Sequence, residues 1–303
     1  MESYGIHTSA LLVELNVPVW TARKLDRRAS DEVVQSNNAG SRAAARVNKN
    51  LLAGRTELDK INAHVGSMRN YVYTNTLPWS DTGVRLLPVT RFTVFDENMR
   101  KLEDEYWALC KAFVDVYPTL ITAQAMALGD LFKREDYPTP EQILHKFGFS
   151  LSYMPVPTSG DFRVDVGNDA QATLAGRLQG MVDARVESAL ADARERLRDY
   201  LKHLSDRLTV DVKDDVAKPR IFHDSLLDNG YEMVELAKHL NITNDPAIEQ
   251  ARQSLERTLS RIVPKLRPRS GVELSPADTL REDMEQRSKI KTQVDDLLNS
   301  INW

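Results

Sequence analysis

The sequence predicts a mainly helical α+β protein, with long paired helices and one small antiparallel β-sheet. Two apolar stripes and a set of scattered extended segments lead to that class. The first stripe, Ala44, Val47, Leu51, Gly54, Leu58, Ile61, Val65, Met68 and Val72, repeats at alternating spacings of four and three. The second is Met99, Leu102, Tyr106, Leu109, Phe113 and Val116. A mean spacing near 3.5 places such residues along one seam of a helix and calls for a partner helix to cover them. The extended segments are too few and too far apart for two sheets.

The elements follow in order. Leu11–Trp20 (LLVELNVPVW) alternates with Val13, Leu15, Val17 and Val19 on one face, which predicts a strand with Pro18 at an edge or late bulge. A short helix within Thr21–Asn38 and a loop at Asn37–Gly40 lead to Ser41, the expected cap of the first long helix. The turn cluster Pro78–Gly83 precedes a second extended segment, Val84–Phe95, interrupted by Pro88. Asp96 is the expected cap of the second long helix, and Pro118 is expected to kink or restart it. Thr139, Pro140 and Gln142 carry the cap, first-turn proline and N3 amide of a helix start, and Gly148 is the expected stop. A hairpin is expected from Phe149–Val156 and Phe162–Val166 around Pro157–Asp161.

The longest predicted helix opens at Asn168 or Asp169 and reaches Leu208, roughly 60 Å at 1.5 Å per residue. Its stripe runs Leu174, Leu178, Val182, Val186, Ala189, Ala193, Leu197, Leu201, Leu204 and Leu208. Asp192 with Arg196, Glu195 with Arg198 and Asp199 with Lys202 lace its outer face. Val210–Arg220 reads as a charged connection, followed by helices at 221–240, 246–263 (capped by Asp245) and 276–300 (capped by Ser275). The stretch 264–271 (PKLRPRSG) reads as a linker. The expected organisation is an α/β core over 1–208 and a C-terminal helical segment over 209–303.

With 303 residues, 28% of them charged, and a mean hydropathy of −0.42, the chain has the makeup of a soluble folded protein. A net charge of −4 argues against coating nucleic acid over the whole surface but leaves room for a local basic patch. Cys110 is the single cysteine, so no intramolecular disulfide or thiolate metal centre is available. Met1–Ala10 has neither a basic n-region nor a long apolar core, and no stretch reaches a membrane span, so a cytoplasmic protein with no membrane contact is expected.

No phosphate-binding glycine loop is present, and the six histidines lack metal-ligand spacing. His223–Asp224 is a conceivable acid–base pair, and Asp211, Asp214 and Asp215 a conceivable cation cluster; a solvated charged surface accounts for both. The reading is of a non-enzymatic protein without a cofactor or metal. Two basic stretches rise above this background. Thr21–Thr56 holds eight lysines and arginines against three acids, and Gln250–Gly271 holds six against one. On a helix, Arg42, Arg46 and Lys49 would face solvent together opposite the seam. With Arg55 and with Arg261, Lys265, Arg267 and Arg269 they form a candidate nucleic-acid patch, although no aromatic residues interleave them. Val47, Leu51, Leu58, Ile61, Val65 and Met68 form the candidate helix-pairing seam.

Five segments carry a family likeness: TLPWSDTGVRLLP (76–88), LGDLFKREDYPTPEQI (128–143), KFGFSLSYMPVPTSGDFRVDVG (146–167), IFHDSLLDN (221–229) and LNITNDP (240–246). Together they resemble a bacteriophage and mobile-element family of unknown function, whose members are encoded near MoxR-type AAA ATPases and von Willebrand A domain proteins. The resemblance implies a phage context in the host cell and an AAA ATPase as a partner, and it supplies no catalytic residues. Two functions follow as expectations: an oligomeric scaffold or adaptor acting through self-association or that partner, or a single-stranded DNA-binding or annealing protein.

Overall fold

The computed structural model describes residues 5–158, 168–213, 216–266 and 273–300. In chain order the elements are α1 (Ile6–Ser9), β1 (Ala10–Asn16), β2 (Arg23–Asp26), α2 (Arg27–Ser36), β3 (Val47–Asn50), α3 (Glu57–Asn75), β4 (Leu77–Pro78) and β5 (Arg85–Pro88). They continue with α4 (Phe92–Leu128), α5 (Pro140–Leu144), β6 (Ser150–Pro155), α6 (Asn168–Leu208), β7 (Val210–Lys213) and β8 (Val216–Pro219). The remainder is helical: α7 (Ser225–Leu240), α8 (Pro246–Ser260), α9 (Pro276–Glu282) and α10 (Met284–Ser300). The protein is α+β and mainly helical, as its sequence predicts.

Two compact units are built from interleaved stretches of chain. Unit 1 holds Met1–Glu14, Tyr73–Thr93 and Tyr153–Trp303, and unit 2 holds Leu15–Val72 and Val94–Ser152. The boundary expected at 208/209 falls inside unit 1. The reason is local: Val210–Pro219 is no open linker but the antiparallel hairpin β7–β8, after which α7 packs back against α6.

Most residues of the four-stranded sheet, in the order β4-β5-β1-β6, belong to unit 1, and the N-terminal strand, the 85–88 segment and the 150–155 strand share that one sheet as expected. β1 lies antiparallel to β5, with Ala10 opposite Pro88 and Val13 opposite Arg85. The expected second arm of the 149–166 hairpin lies outside the described residues. One hydrophobic cluster joins Leu12, Leu77 and Leu86 of the sheet to the buried face of α6 and to α7, α8 and α10. Along α6 the buried residues of the expected stripe are Val182, Ala189, Ala193, Leu197, Leu201, Leu204 and Leu208, its C-terminal part; Val186 of the stripe is half-buried, and Leu190 and Tyr200, outside the stripe, are buried as well. Between Ala170 and Met181 no residue is buried. Of the expected outer ion pairs, Arg196 meets Asp192 at 2.8 Å and Lys202 meets Asp199 at 3.9 Å. Asp245 and Ser275 cap α8 and α9 as expected, each accepting backbone N–H bonds in a geometry worth about 1 kcal/mol. The single helix expected at 276–300 breaks at Asp283, whose extended backbone frees its carboxylate to accept from the N–H groups of Glu285 and Gln286.

Unit 2 has its own cluster, in which Leu58, Ile61, Val65 and Met68 of α3 pack with Tyr106, Cys110, Phe113 and Tyr117 of α4. The long first helix corrects to a shorter one. Residues 47–50 are a strand paired with β2, and the chain turns at Gly54 with φ of 72°, a conformation that glycine adopts without steric cost. Ser41 accordingly caps only a single 3-10 turn at Arg42–Ala44. The second extended segment stops at Pro88, and α4 already runs at Phe92. Asp96 therefore lies within the helix, paired with Arg100 at 2.7 Å, and is not its cap. α4 continues unbroken through Pro118, and its seam uses the buried Tyr117, while Val116 is exposed. The full capping box forms at Thr139 and Gln142, but α5 ends at Leu144. Gly148 instead donates its N–H to the Pro18 carbonyl at 3.1 Å, an approach so close that a Cβ there would lie 2.9 Å from Pro18 Cγ.

Candidate nucleic-acid interface

Three stretches of unit 2 converge on one cleft. In the β2–β3 ribbon Lys24 stands opposite Lys49 and Asp26 opposite Val47. Asp26 then caps α2, accepting from Ala29 N at 3.0 Å, which places Arg27 and Arg28 in the first helical turn. Ser30 ties that turn to the ribbon: its hydroxyl donates to the Asp26 carbonyl at 2.6 Å and accepts from Val47 N at 2.9 Å. The third stretch is a 3-10 turn at Arg134–Asp136, held where the Tyr137 hydroxyl donates to the Leu51 carbonyl at 2.8 Å. Together they line a cleft of about 540 Å3 with Lys24, Arg27, Arg28, Lys49 and Lys133 against Asp26, Glu135 and Asp136.

Some of this charge is consumed inside the protein. The Lys49 side chain is only 7% exposed, forms an ion pair with Asp136, lies 3.9 Å from Asp26 and donates to the Leu131 carbonyl at 3.0 Å. Arg28 meets Glu32 at 2.9 Å. The Ala29 N–H holds the Asp26 carboxyl below its ordinary range, opposed by partial burial and helped by the charges of Lys49 and Lys133. Among the described residues, Lys24, Arg27 and Lys133 have no ion-pair partner, and all three are exposed. Glu135 is the one lining carboxylate that is likewise unpaired. The outward face of the cleft is therefore cationic, and its donors suit phosphate oxygens.

The expected patch is redrawn by these contacts. Lys49 points inward: Asp26 lies diagonally across the ribbon from it, and the 3-10 turn at Arg134–Asp136 brings up Asp136, so its ammonium is held by two acids. Arg46 and Arg55 are exposed in unit 2, while the Arg42 side chain lies outside the described residues. In the second stretch Arg252 is bound to Glu249 at 2.7 Å and Glu256 at 2.9 Å, and Lys265 is paired with Asp283. Arg261 is exposed in unit 1; Arg267 and Arg269 lie outside the described residues. Of the seam residues, Leu51, Leu58, Ile61, Val65 and Met68 are buried within unit 2 and Val47 is half-buried. Lys133 has no signal in its own neighbourhood; only the fold brings it to Asp26.

Other candidate chemistry is accounted for by neighbouring side chains. Asp224 meets Arg281 at 2.5 Å, which occupies the carboxylate beside His223. Both oxygens of Asp211 accept from Arg220 at 3.0 Å, whereas Asp214 and Asp215 lie outside the described residues. Cys110 is buried, and that burial pushes its thiol up to about 11. Among the described residues no three metal-binding side chains cluster, and no helix is long and apolar enough to cross a membrane. Comparison with family models, with curated proteins and with solved structures gives no match to the chain.

Proposed function

We propose that the protein is a non-enzymatic nucleic-acid-binding protein that holds the phosphate backbone of single-stranded DNA in the cleft of unit 2. The observation that carries this reading is the convergence of Lys24 and Arg27, from one stretch of chain, with Lys133, from a distant one, on one concavity; all three are exposed and have no ion-pair partner among the described residues. The single strand follows the expectation raised by the basic stretches of the sequence, and the phage setting in the host cell rests on the family resemblance. Three neutralised phosphates give a log–log salt slope of about −2 on single strands. An electrophoretic shift with an oligonucleotide at about 50 µM protein and low salt, within the range of non-specific affinities, reads the binding directly. The triple variant Lys24→Ala, Arg27→Ala, Lys133→Ala should flatten the slope by about two. No shift, or an unchanged slope in the variant, overturns the reading. Lys49 is left intact in this test because its role is internal.

A second reading, an oligomeric scaffold or adaptor that engages an AAA ATPase, is favoured by the N-terminal third of α6. There Leu174, Leu178 and Met181 are only half-buried, on a helix whose later turns are fully covered. The candidate seam of α3 does not support it, since that seam is covered inside unit 2. A mass of 34.3 kDa alone in light scattering, with no co-purifying ATPase, counts against this reading.

A further inference from the structure

A second cleft, wholly within unit 1, has a different chemistry. His203 and Arg207 lie four residues apart on α6 and so share one face near its C-terminal end. Facing them are His223, which precedes α7, and Ser225 and Asn229 of its first turns; together they line a cleft of about 350 Å3. That volume is at the small end of the range for organic-ligand sites, about 300–1,000 Å3. No carboxylate lines it. Of the acids that flank it in sequence, Asp206 and Asp211 are engaged by Arg220 and Asp224 by Arg281, while Asp228, in the first turn of α7, is exposed and is not part of the lining. The side chains of His203, Arg207 and His223 have no partner among the described residues, and no side chain caps α7. The polar lining is thus made of a guanidinium, two imidazoles, a hydroxyl and an amide, a set that offers hydrogen-bond donors and no fixed negative charge.

The apolar wall is held rigid. Arg281 donates to the Phe222 carbonyl at 2.9 Å and Arg287 to the Arg220 carbonyl at 2.6 Å, so the residue between them is anchored on both sides. That residue, Ile221, is 81% exposed, while Phe222 beneath it is buried against the guanidinium groups of Arg281 and Arg287 at 5.0 and 5.2 Å. An isoleucine fixed in solvent beside a cluster of donors complements a ligand that is anionic at one end and apolar at the other.

We propose that this cleft binds a small phosphomonoester, its phosphoryl group among Arg207, His203, His223 and Ser225 and its organic body against Ile221. The inference is independent of the DNA-binding reading, because it uses unit 1 residues alone. Calorimetric titration of the full chain with adenosine 5′-monophosphate, inorganic phosphate and adenosine tests it. The nucleotide should bind about tenfold more tightly than inorganic phosphate, and adenosine should give no saturable heat. Arg207→Met should weaken the nucleotide by at least about tenfold, the worth of one charge-assisted hydrogen bond. Ile221→Ser should bring the nucleotide down to the level of inorganic phosphate. His223→Gln provides a second weakened variant should Arg207→Met melt early. No saturable binding of nucleotide or phosphate up to about 10 mM overturns the proposal. So does adenosine binding as tightly as the nucleotide, or undiminished nucleotide affinity in folded Arg207→Met and His223→Gln.

Discussion

Replacing Arg287 by methionine should be among the most damaging single changes in unit 1. The side chain is 1% exposed and faces no carboxylate among the described residues; burial alone lowers its pKa. Its charge is met by carbonyls. Nε donates to the Leu208 carbonyl at 2.9 Å, and Nη2 donates to those of Arg207 and Arg220, both at 2.6 Å. Two of these acceptors belong to the last turn of α6, where no further helical N–H exists to satisfy them and the helix dipole is negative. Each carbonyl left buried without a donor costs about 1–3 kcal/mol. Three such carbonyls, offset by the relief of no longer burying a cation, give a loss of about 3 kcal/mol for Arg287→Met. In urea that is a midpoint drop on the order of 1 M for an m-value near 3 kcal/mol/M. Arg287→Lys keeps the charge but not the planar fork, so it should recover only part of the loss. A methionine variant within about 0.5 kcal/mol of the parent would refute the carbonyl-cage reasoning. A lysine variant equal to the parent would show that the charge, and not the fork, is what matters.

Lys49→Ala should cost about 3–5 kcal/mol, because it strands Asp26 and Asp136 in a partly buried site; adding Asp136→Asn should return part of the loss in chemical denaturation. Gly230→Ala places a Cβ 2.2 Å from the Tyr200 hydroxyl, whose bond to the Leu226 carbonyl must then shift, and should cost about 1–3 kcal/mol in thermal unfolding. Combining it with Tyr200→Phe should cost less than the two single losses added together. The bond from Arg252 holds Glu249 down to about 2, against an ordinary 4.5, so its charged form is favoured in the fold. Its contribution is complete above pH 4.5 and is lost as pH falls toward 2. Glu249→Gln should therefore lower stability at neutral pH and make the acid limb of the urea-midpoint profile shallower. An unchanged acid limb would contradict the pairing.

Signals carried within a few neighbouring residues were legible in the chain. Thr139, Asp245 and Ser275 cap helices because each needs only N–H groups two or three residues away, and α6 spans Asn168–Leu208 because its stripe and its boundaries are local. The local pattern misleads where distant residues decide. Val47 and Leu51 fit a helical spacing as well as they fit a strand and the turn after it, and the pairing that settles the matter comes from Arg23–Asp26. Lys49 reads as a surface cation in sequence because its two carboxylates lie 23 residues before it and 87 after it. The cleft was half visible for the same reason: Lys24 and Arg27 stand in the basic stretch, whereas Lys133 arrives through the fold.

The interleaving of the two units has a consequence for synthesis on the ribosome. All of unit 2 has emerged once Ser152 is clear, so its core can close early, as a nascent domain. Unit 1 is interrupted by unit 2: β1 is made before unit 2, yet the helices that cover its cluster follow unit 2 and extend to Ser300. At about 5–20 residues per second, β1 and β5 wait on the order of tens of seconds for α6 to α10. During that interval the sheet, whose four strands are all made by Pro155, has an apolar face without its helical cover, which makes unit 1 the part of the newborn chain most exposed to aggregation and most dependent on a chaperone.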